Sequence, residues 1–196
     1  MSKITITQNG NGRDIVTIED AKVITEFNNF SGEHGYMEGD NRRTMFVAID
    51  DENAIKYFED NGWNVKTRFK SIEDPNDPMK RVLTDEVEFR YLKINVSYRF
   101  YNPNDKNPVP TILEKDPGSG NVMAHTEDTV GSIDTFRRRD GFEHCDLIFK
   151  GTPYEMNGGG ISAYLQWMQF TPHYNMLEDT IERLTYGSED NGDIPF

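Results

Sequence analysis

Cysteine is almost absent. The 196 residues contain one, so no disulfide forms within the chain and no metal site is built from several thiolates. Long apolar runs are missing too: none approaches the roughly 20 residues that cross a bilayer as a helix. The start Met1-Ser2-Lys3-Ile4-Thr5-Ile6-Thr7 carries no apolar signal core. These absences predict a soluble, unexported protein in a reducing cytoplasm. Positive charge is scarce, with 21 Lys and Arg against 34 Asp and Glu and a formal net charge of -13. As a total, that charge speaks against nucleic acid, whose binding rests on neutralising phosphates. Aromatic residues, by contrast, reach 12%, which excludes disorder throughout, and this length supports one domain with a real core.

The charges are segregated. Residues 177–196 hold Glu178, Asp179, Glu182, Glu189, Asp190 and Asp193 but only Arg183 as a base, while many bases elsewhere lie in short clusters. The clusters are Arg42 with Arg43, Lys66 with Arg68 and Lys70, Lys80 with Arg81, Arg90 with Lys93 and Arg99, and the run Arg137, Arg138 and Arg139. Positive patches on an acidic body are therefore expected, and nucleic acid stays in play.

Period-two alternation between dense turn signals predicts a mainly β chain. Ile4 and Ile6 alternate with threonine, and Asn9-Gly10-Asn11-Gly12 leads into a strand at 15–18, as in a hairpin. Residues 21–30 and 42–49 read as strands. Asp50 and Asp51 suit a helix start, Ala54, Ile55 and Phe58 recur at helical spacing, and Asn61-Gly62 supplies a left-handed stop, giving a helix over about 52–60. From Trp63 the period returns to two, with Trp63, Val65 and Phe69 opposite Asn64, Lys66, Arg68 and Lys70. Pro75-Asn76-Asp77-Pro78 marks 72–84 as a hairpin tip or loop. Leu92, Ile94, Val96, Tyr98 and Phe100 then share a core face, opposite Lys93, Asn95, Ser97, Arg99 and Tyr101. Residues 102–121 read as a long surface loop, 129–139 as a short helix and 146–149 as a brief buried strand. In the run 161–170, Ile161, Ala163, Leu165 and Trp167 lie opposite Tyr164, Met168 and Phe170. A further short helix is expected over about 176–184, before a polar end.

Catalysis has thin support. His34, His125, His144 and His173 are scattered, and His144-Cys145-Asp146 puts neighbours on opposite strand faces, a poor metal site. Gly158-Gly159-Gly160 lacks the following Lys-Ser or Lys-Thr of a phosphate cradle. No catalytic residue, metal or cofactor is expected. Binding single strands without reading sequence needs something else: cations along a groove and rings on which bases stack. Lys93, Arg99 and Tyr101 supply that mixture on one strand face, and Lys66, Arg68 and Lys70 extend it. Arg137, Arg138 and Arg139 suit a phosphate clamp at an edge, and Tyr164 and Phe170 suit stacking. Trp63 and Trp167 share faces with aliphatics and fit a core better; Phe46 is undecided.

The acidic stretch 188–196 ends in Asp193-Ile194-Pro195-Phe196, where a ring and a carboxylate form a ready ligand for an apolar pocket with an arginine rim. These four residues resemble the C-terminal tip of bacterial single-stranded DNA-binding proteins. Three body segments resemble phage-encoded single-stranded DNA-binding proteins: Asn29-Phe30-Ser31-Gly32, Gly62-Trp63-Asn64-Val65-Lys66 and Gly160-Ile161-Ser162-Ala163-Tyr164-Leu165-Gln166. The resemblance implies an OB-type barrel over 1–184 with one or two short helices and long loop insertions. A disordered acidic tail over 185–196 follows, whose Asp190, Asp193, Ile194, Pro195 and Phe196 recruit replication and recombination proteins. The chain lacks a long Gly/Gln-rich linker, and its core exceeds a minimal five-stranded barrel. Both departures set aside the bacterial tetramer for a phage-type protein, with a homodimer left open.

The function this implies is sequence-independent binding and protection of single-stranded DNA in phage replication or recombination, in the host cytoplasm and away from membranes. The alternative is an acidic DNA-mimic inhibitor of a host nucleic-acid enzyme, which the net charge allows and the clustered bases oppose. A metal-dependent nuclease on a β scaffold would need a compact Asp/Glu/His cluster that the sequence does not display.

Overall fold

Ten strands carry more than half of the described residues in the computed structural model, which describes residues 2–33, 41–74, 77–98, 109–138, 141–155 and 158–173, with backbone alone at 77, 78, 137 and 138. In order they are β1 (Lys3–Thr7), β2 (Ile15–Glu19), β3 (Lys22–Val23), β4 (Thr44–Ile49), β5 (Val65–Asp74), β6 (Asp77–Asn95), β7 (Thr111–Lys115), β8 (Val122–His125), β9 (Phe142–Tyr154) and β10 (Gly160–Pro172). Helix α1 spans Glu52–Asp60, and 3-10 segments cover Thr25–Phe27 and Val130–Arg138. The expected mainly β class is what the structure shows. No helix among the described residues is long and apolar enough to cross a membrane.

The hydrogen-bonded path runs β1-β2-β9-β10-β6-β4-β3, and the ladder itself does not close. Its β3 end nevertheless meets β2, next to the other end, through the chain. β2 pairs antiparallel with β9, β3 pairs antiparallel with β4, and only Asp20 and Ala21 separate β2 from β3. Asp20 takes a positive φ of 55°, which bends the segment, and the Ala21 N–H donates to the Cys145 carbonyl at 2.6 Å. The bent segment β2–β3 with β4, β6, β10 and β9 makes a five-stranded, partly open barrel of the OB type, including the parallel pairing of β6 with β10. β1, the outer ribbon of β5 and β6, and the β7–β8 hairpin are additions to it.

Alternation builds the interior. Val16, Ile18, Met45, Val47, Leu92, Ile94, Leu147, Phe149 and Leu165 are all buried at period two, each worth about 1.5–3 kcal/mol of apolar transfer. Helix α1 adds Ala54, Ile55 and Phe58. It starts where Asp51 accepts from the Asn53 and Ala54 N–H groups at 2.8 and 3.2 Å, and it stops before Gly62 at φ +79°. Gly151 in β9 must lack a side chain, because a Cβ there would collide with the Gly12 carbonyl and the Trp63 ring.

Several local readings need correction. Residues 21–30 hold only the two-residue β3 before the chain turns into the 3-10 segment Thr25–Phe27. Residues 72–74 and 77–84 are strand, and the expected 102–121 loop contains β7. The brief strand at 146–149 is the middle of thirteen-residue β9, and the expected helix at 129–139 is a 3-10 helix over Val130–Arg138. The most consequential correction is in β10. A bulge between Leu165 and Trp167 inserts one residue, so the phase flips: Met168 and Phe170 join Ile161, Ala163 and Leu165 in the core. Trp167 leaves that face and is half-buried. Phe170 is fully buried, its ring 4.5 Å from Phe142 and 6.0 Å from His125, so the expectation that it stacks bases is withdrawn. The helix expected over 176–184 lies outside the described residues.

Candidate nucleic-acid interface

The outward face of β4, β6 and β5 follows directly from register. Since Met45, Val47, Leu92 and Ile94 point inward, Phe46, Tyr91 and Lys93 point outward, and Phe89 follows at the same period. Register sets Phe46 beside Lys93, Lys66 beside Tyr91, and Arg68 beside Phe89. The rings form a ladder: Phe46 lies 5.9 Å from Tyr91, and Tyr91 lies 5.9 Å from Phe89. Phe27 extends it, 6.1 Å from Phe46 and edge-on.

Phe27 is placed by its own turn. Ile24 N–H donates to the Phe46 carbonyl at 2.8 Å, and Phe46 N–H donates to the side-chain oxygen of buried Asn28 at 3.2 Å. The 3-10 segment is thereby stitched to β4 with Phe27 against Phe46. Asp134 holds the next stretch, accepting from the N–H groups of Phe30 and Ser31 at 2.8 Å each.

Next to the ladder the sheet forks. β6 pairs with β5 through Phe89–Leu92 and then with β10 at Ile94 and Asn95, and a depression of about 230 Å³ opens where it changes partner. Arg42, Lys66 and Lys93 line it with Asn64, Asn95 and Ser162, over Trp63, Leu92, Ile161 and Ala163, and no carboxylate is among the lining residues. In a chain of net charge -13, three cations thus line one depression. Tyr164 continues the outward face on β10, in register with Asn95 on one side and Lys150 on the other.

Of the residues expected to bind DNA, Lys66, Arg68, Lys93 and Tyr164 come together on this face. Lys70 lies further out on the β5–β6 ribbon, paired with Glu86. Arg137 and Arg138 contribute backbone to the 3-10 helix, and their side chains lie outside the described residues, as do Arg99, Tyr101 and Arg139 entirely. The tail residues Asp190, Asp193, Ile194, Pro195 and Phe196 lie outside them too. Sequence reasoning missed Phe27, Phe89 and Tyr91. The signal for two of them was present: the alternation recognised from Leu92 onward runs two pairs further back, so Phe89 and Tyr91 share the phase of Lys93. Phe27 carries no such signal, because a 3-10 turn rather than a strand delivers it.

Other reactive groups stand apart from the face. Cys145 is buried, and burial, with Asp146 and Asp20 nearby, pushes its thiol well above the ordinary range, opposing nucleophilic chemistry. His144 contacts Asp146 at 3.0 Å and Asp20 at 3.3 Å, which raise its pKa, Asp146 most. Among the described residues no group of three or more His, Cys, Asp or Glu is arranged to hold a metal ion.

Comparison with known proteins matches the chain to solved structures that include phage single-stranded DNA-binding proteins. The single-stranded DNA-binding protein from bacteriophage Enc34, truncated at its C-terminus, aligns with TM-score 0.43 and 10% identity over 88% of this chain and 97% of that one. The same Enc34 protein in complex with ssDNA aligns with TM-score 0.40 and 11% identity over the same shares. Bacteriophage T7 gp2.5, a single-stranded DNA-binding protein, aligns with TM-score 0.31 and 13% identity over 100% of both chains. The fold assignment rests on the strand pairings rather than on these likenesses. No curated protein matches the chain. A family model described as "Putative phage ssDNA-binding domain" matches residues 6–194, nearly the whole length, and the chain therefore belongs to this phage ssDNA-binding family.

Proposed function

We propose that the chain binds and covers single-stranded DNA without reading its sequence, using the outward face of β4, β6 and β5. One observation carries this reading: a ladder of Phe46, Tyr91 and Phe89 flanked by Lys66, Lys93 and Arg68. Unpaired bases have two exposed faces and stack on such rings for roughly 1–3 kcal/mol each, while lysines along the strand neutralise phosphates. The barrel strands involved are the second and third of the OB core, the pair whose surface takes oligonucleotides in this architecture. Family membership supports the same ligand.

The finer reading follows the sequence. The barrel over 1–184 holds the DNA during phage replication or recombination in the host cytoplasm. The acidic end over 185–196 recruits replication and recombination proteins through Asp190, Asp193, Ile194, Pro195 and Phe196, and a homodimer is the assembly state to examine. Catalysis and cofactors play no part in it.

The test is quenching of Trp and Tyr fluorescence by oligothymidylate at two salt concentrations, with a duplex of equal length as control. Saturable quenching that weakens with salt and prefers the single strand supports the reading. No binding to single strands in dilute buffer overturns it and revives the acidic DNA-mimic alternative. Deleting 185–196 should abolish capture of replication proteins without abolishing DNA binding.

A further inference from the structure

Two Glu-Phe dipeptides clasp one arginine at the end of the ladder. Arg68 Nη1 donates to Glu26 Oε1 at 3.0 Å, and its Nε donates to Glu88 Oε2 at 3.1 Å. Its guanidinium carbon lies 4.9 Å from the Phe27 ring centroid and 5.7 Å from that of Phe89. Each acid thus precedes the ring it works with, Glu26 before Phe27 in the 3-10 turn and Glu88 before Phe89 in β6. The register shift between Arg68 and Phe69 leaves Glu88 opposite no partner, which frees its carboxylate to reach Arg68.

The electrostatics of this cluster oppose the ordinary use of an arginine in a DNA groove. Two carboxylates share this one guanidinium, so an approaching phosphate meets repulsion from them where a bare arginine would only attract it. The cation is also held in place, with two of its five N–H donors on carboxylates and its guanidinium over two rings. Beside the paired cation the cluster offers flat ring surface. A duplex, with its bases stacked inside and phosphates outside, finds little to hold there; an unpaired strand can turn a base onto it.

Resting on the reading of this face as a single-strand site, we propose that Glu26 and Glu88 are specificity-determining residues. They lock Arg68 into the stacking platform and keep it from phosphate, so that binding at this end depends on exposed bases and duplex DNA is rejected. The acid excess of the chain thereby has a local purpose at the site itself. Arg68 in this scheme is a positioned stacking group rather than a phosphate clamp.

The experiment uses the full chain with Glu26→Gln, Glu88→Gln and both together, which keep the side-chain length and a hydrogen-bonding oxygen but remove the charge. Anisotropy of labelled oligothymidylate and of a duplex of equal length is titrated at several salt concentrations. In the double variant the log–log salt slope steepens by about 0.7 for the single strand and about 0.9 for the duplex, one phosphate in each case. The ratio of single-strand to duplex affinity falls by about 1.6-fold for each tenfold dilution of salt, the difference of about 0.2 between the two slopes. Adding Arg68→Ala to the double variant reverses both changes. Unchanged slopes and an unchanged ratio, in protein that still binds single strands, overturn the role of the two acids and leave the binding face standing. Failure of the unmodified chain to bind single strands overturns the face first. Each single substitution is expected to give part of the effect, so the test survives if the double variant folds poorly.

Discussion

Tyr91→Ala isolates what one ring of the ladder is worth. Tyr91 is half-buried between Phe46 and Phe89, 5.9 Å from each. Its removal cuts the ladder without dissolving it, because Phe46 keeps Phe27 at 6.1 Å and Phe89 keeps the Arg68 guanidinium at 5.7 Å. The expected loss is therefore that of one stacked base, about 1–3 kcal/mol, or roughly 5- to 150-fold in affinity. The salt slope should stay put, since no charge is removed. Lys66→Ala supplies the converse, a slope lower by about 0.7 for one phosphate. Tyr91→Phe keeps the ring and should bind within about twofold of the parent. Affinities come from anisotropy titrations with oligothymidylate at several salt concentrations, on protein whose thermal unfolding confirms the fold. If Tyr91→Ala binds within twofold of the parent, or changes the slope instead of the affinity, the ladder is not the base platform.

Phe170→Ala should act on stability alone: the ring is fully buried against Phe142, so its loss should cost about 3–5 kcal/mol in urea unfolding while folded protein keeps its DNA affinity. Loss of affinity without loss of stability would restore Phe170 as a stacking residue. Tyr57 governs the alkaline limit, its hydroxyl donating to Asp14 at 2.7 Å and its pKa pushed up to about 12, by burial first and then by Asp14. Because the folded value lies above the ordinary 10, the stabilisation is complete below pH 10 and drains away as pH rises toward 12. Tyr57→Phe should flatten that part of a plot of thermal midpoint against pH, and parallel curves for the two proteins would refute the assignment.

Helix α1 was legible to the residue because three independent signals agree there: the Asp51 cap, the apolar spacing and the Asn61-Gly62 stop. The β1–β2 hairpin was legible because glycine-rich turn chemistry separates two alternating runs. What failed did so for physical reasons. A bulge such as the one in β10 adds a residue without changing the composition of the strand, so extrapolated alternation put Trp167 inside and Phe170 outside. Residues 21–30 look extended because β-branched and aromatic residues are frequent there, yet backbone bonds between Ile24 and Phe46 pull the chain into a turn. The candidate face was half legible. Lys66, Arg68, Lys93 and Tyr164 were found from period and charge, whereas the partnership of Glu26 with Arg68 spans 42 positions and leaves no mark in local sequence.

The junction at Asp20 and Ala21 has a mechanical meaning. Where β2 leaves β9 and β3 joins β4, the cylinder is stapled by covalent chain and a short run of bonds instead of by a continuous ladder. Barrel breathing should therefore start along that seam, with amides of Lys22 and Val23 exchanging sooner than those of Leu147 and Phe149. The seam also adjoins the turn that carries Phe27, so a loosening there would reach the outermost ring before disturbing the interior.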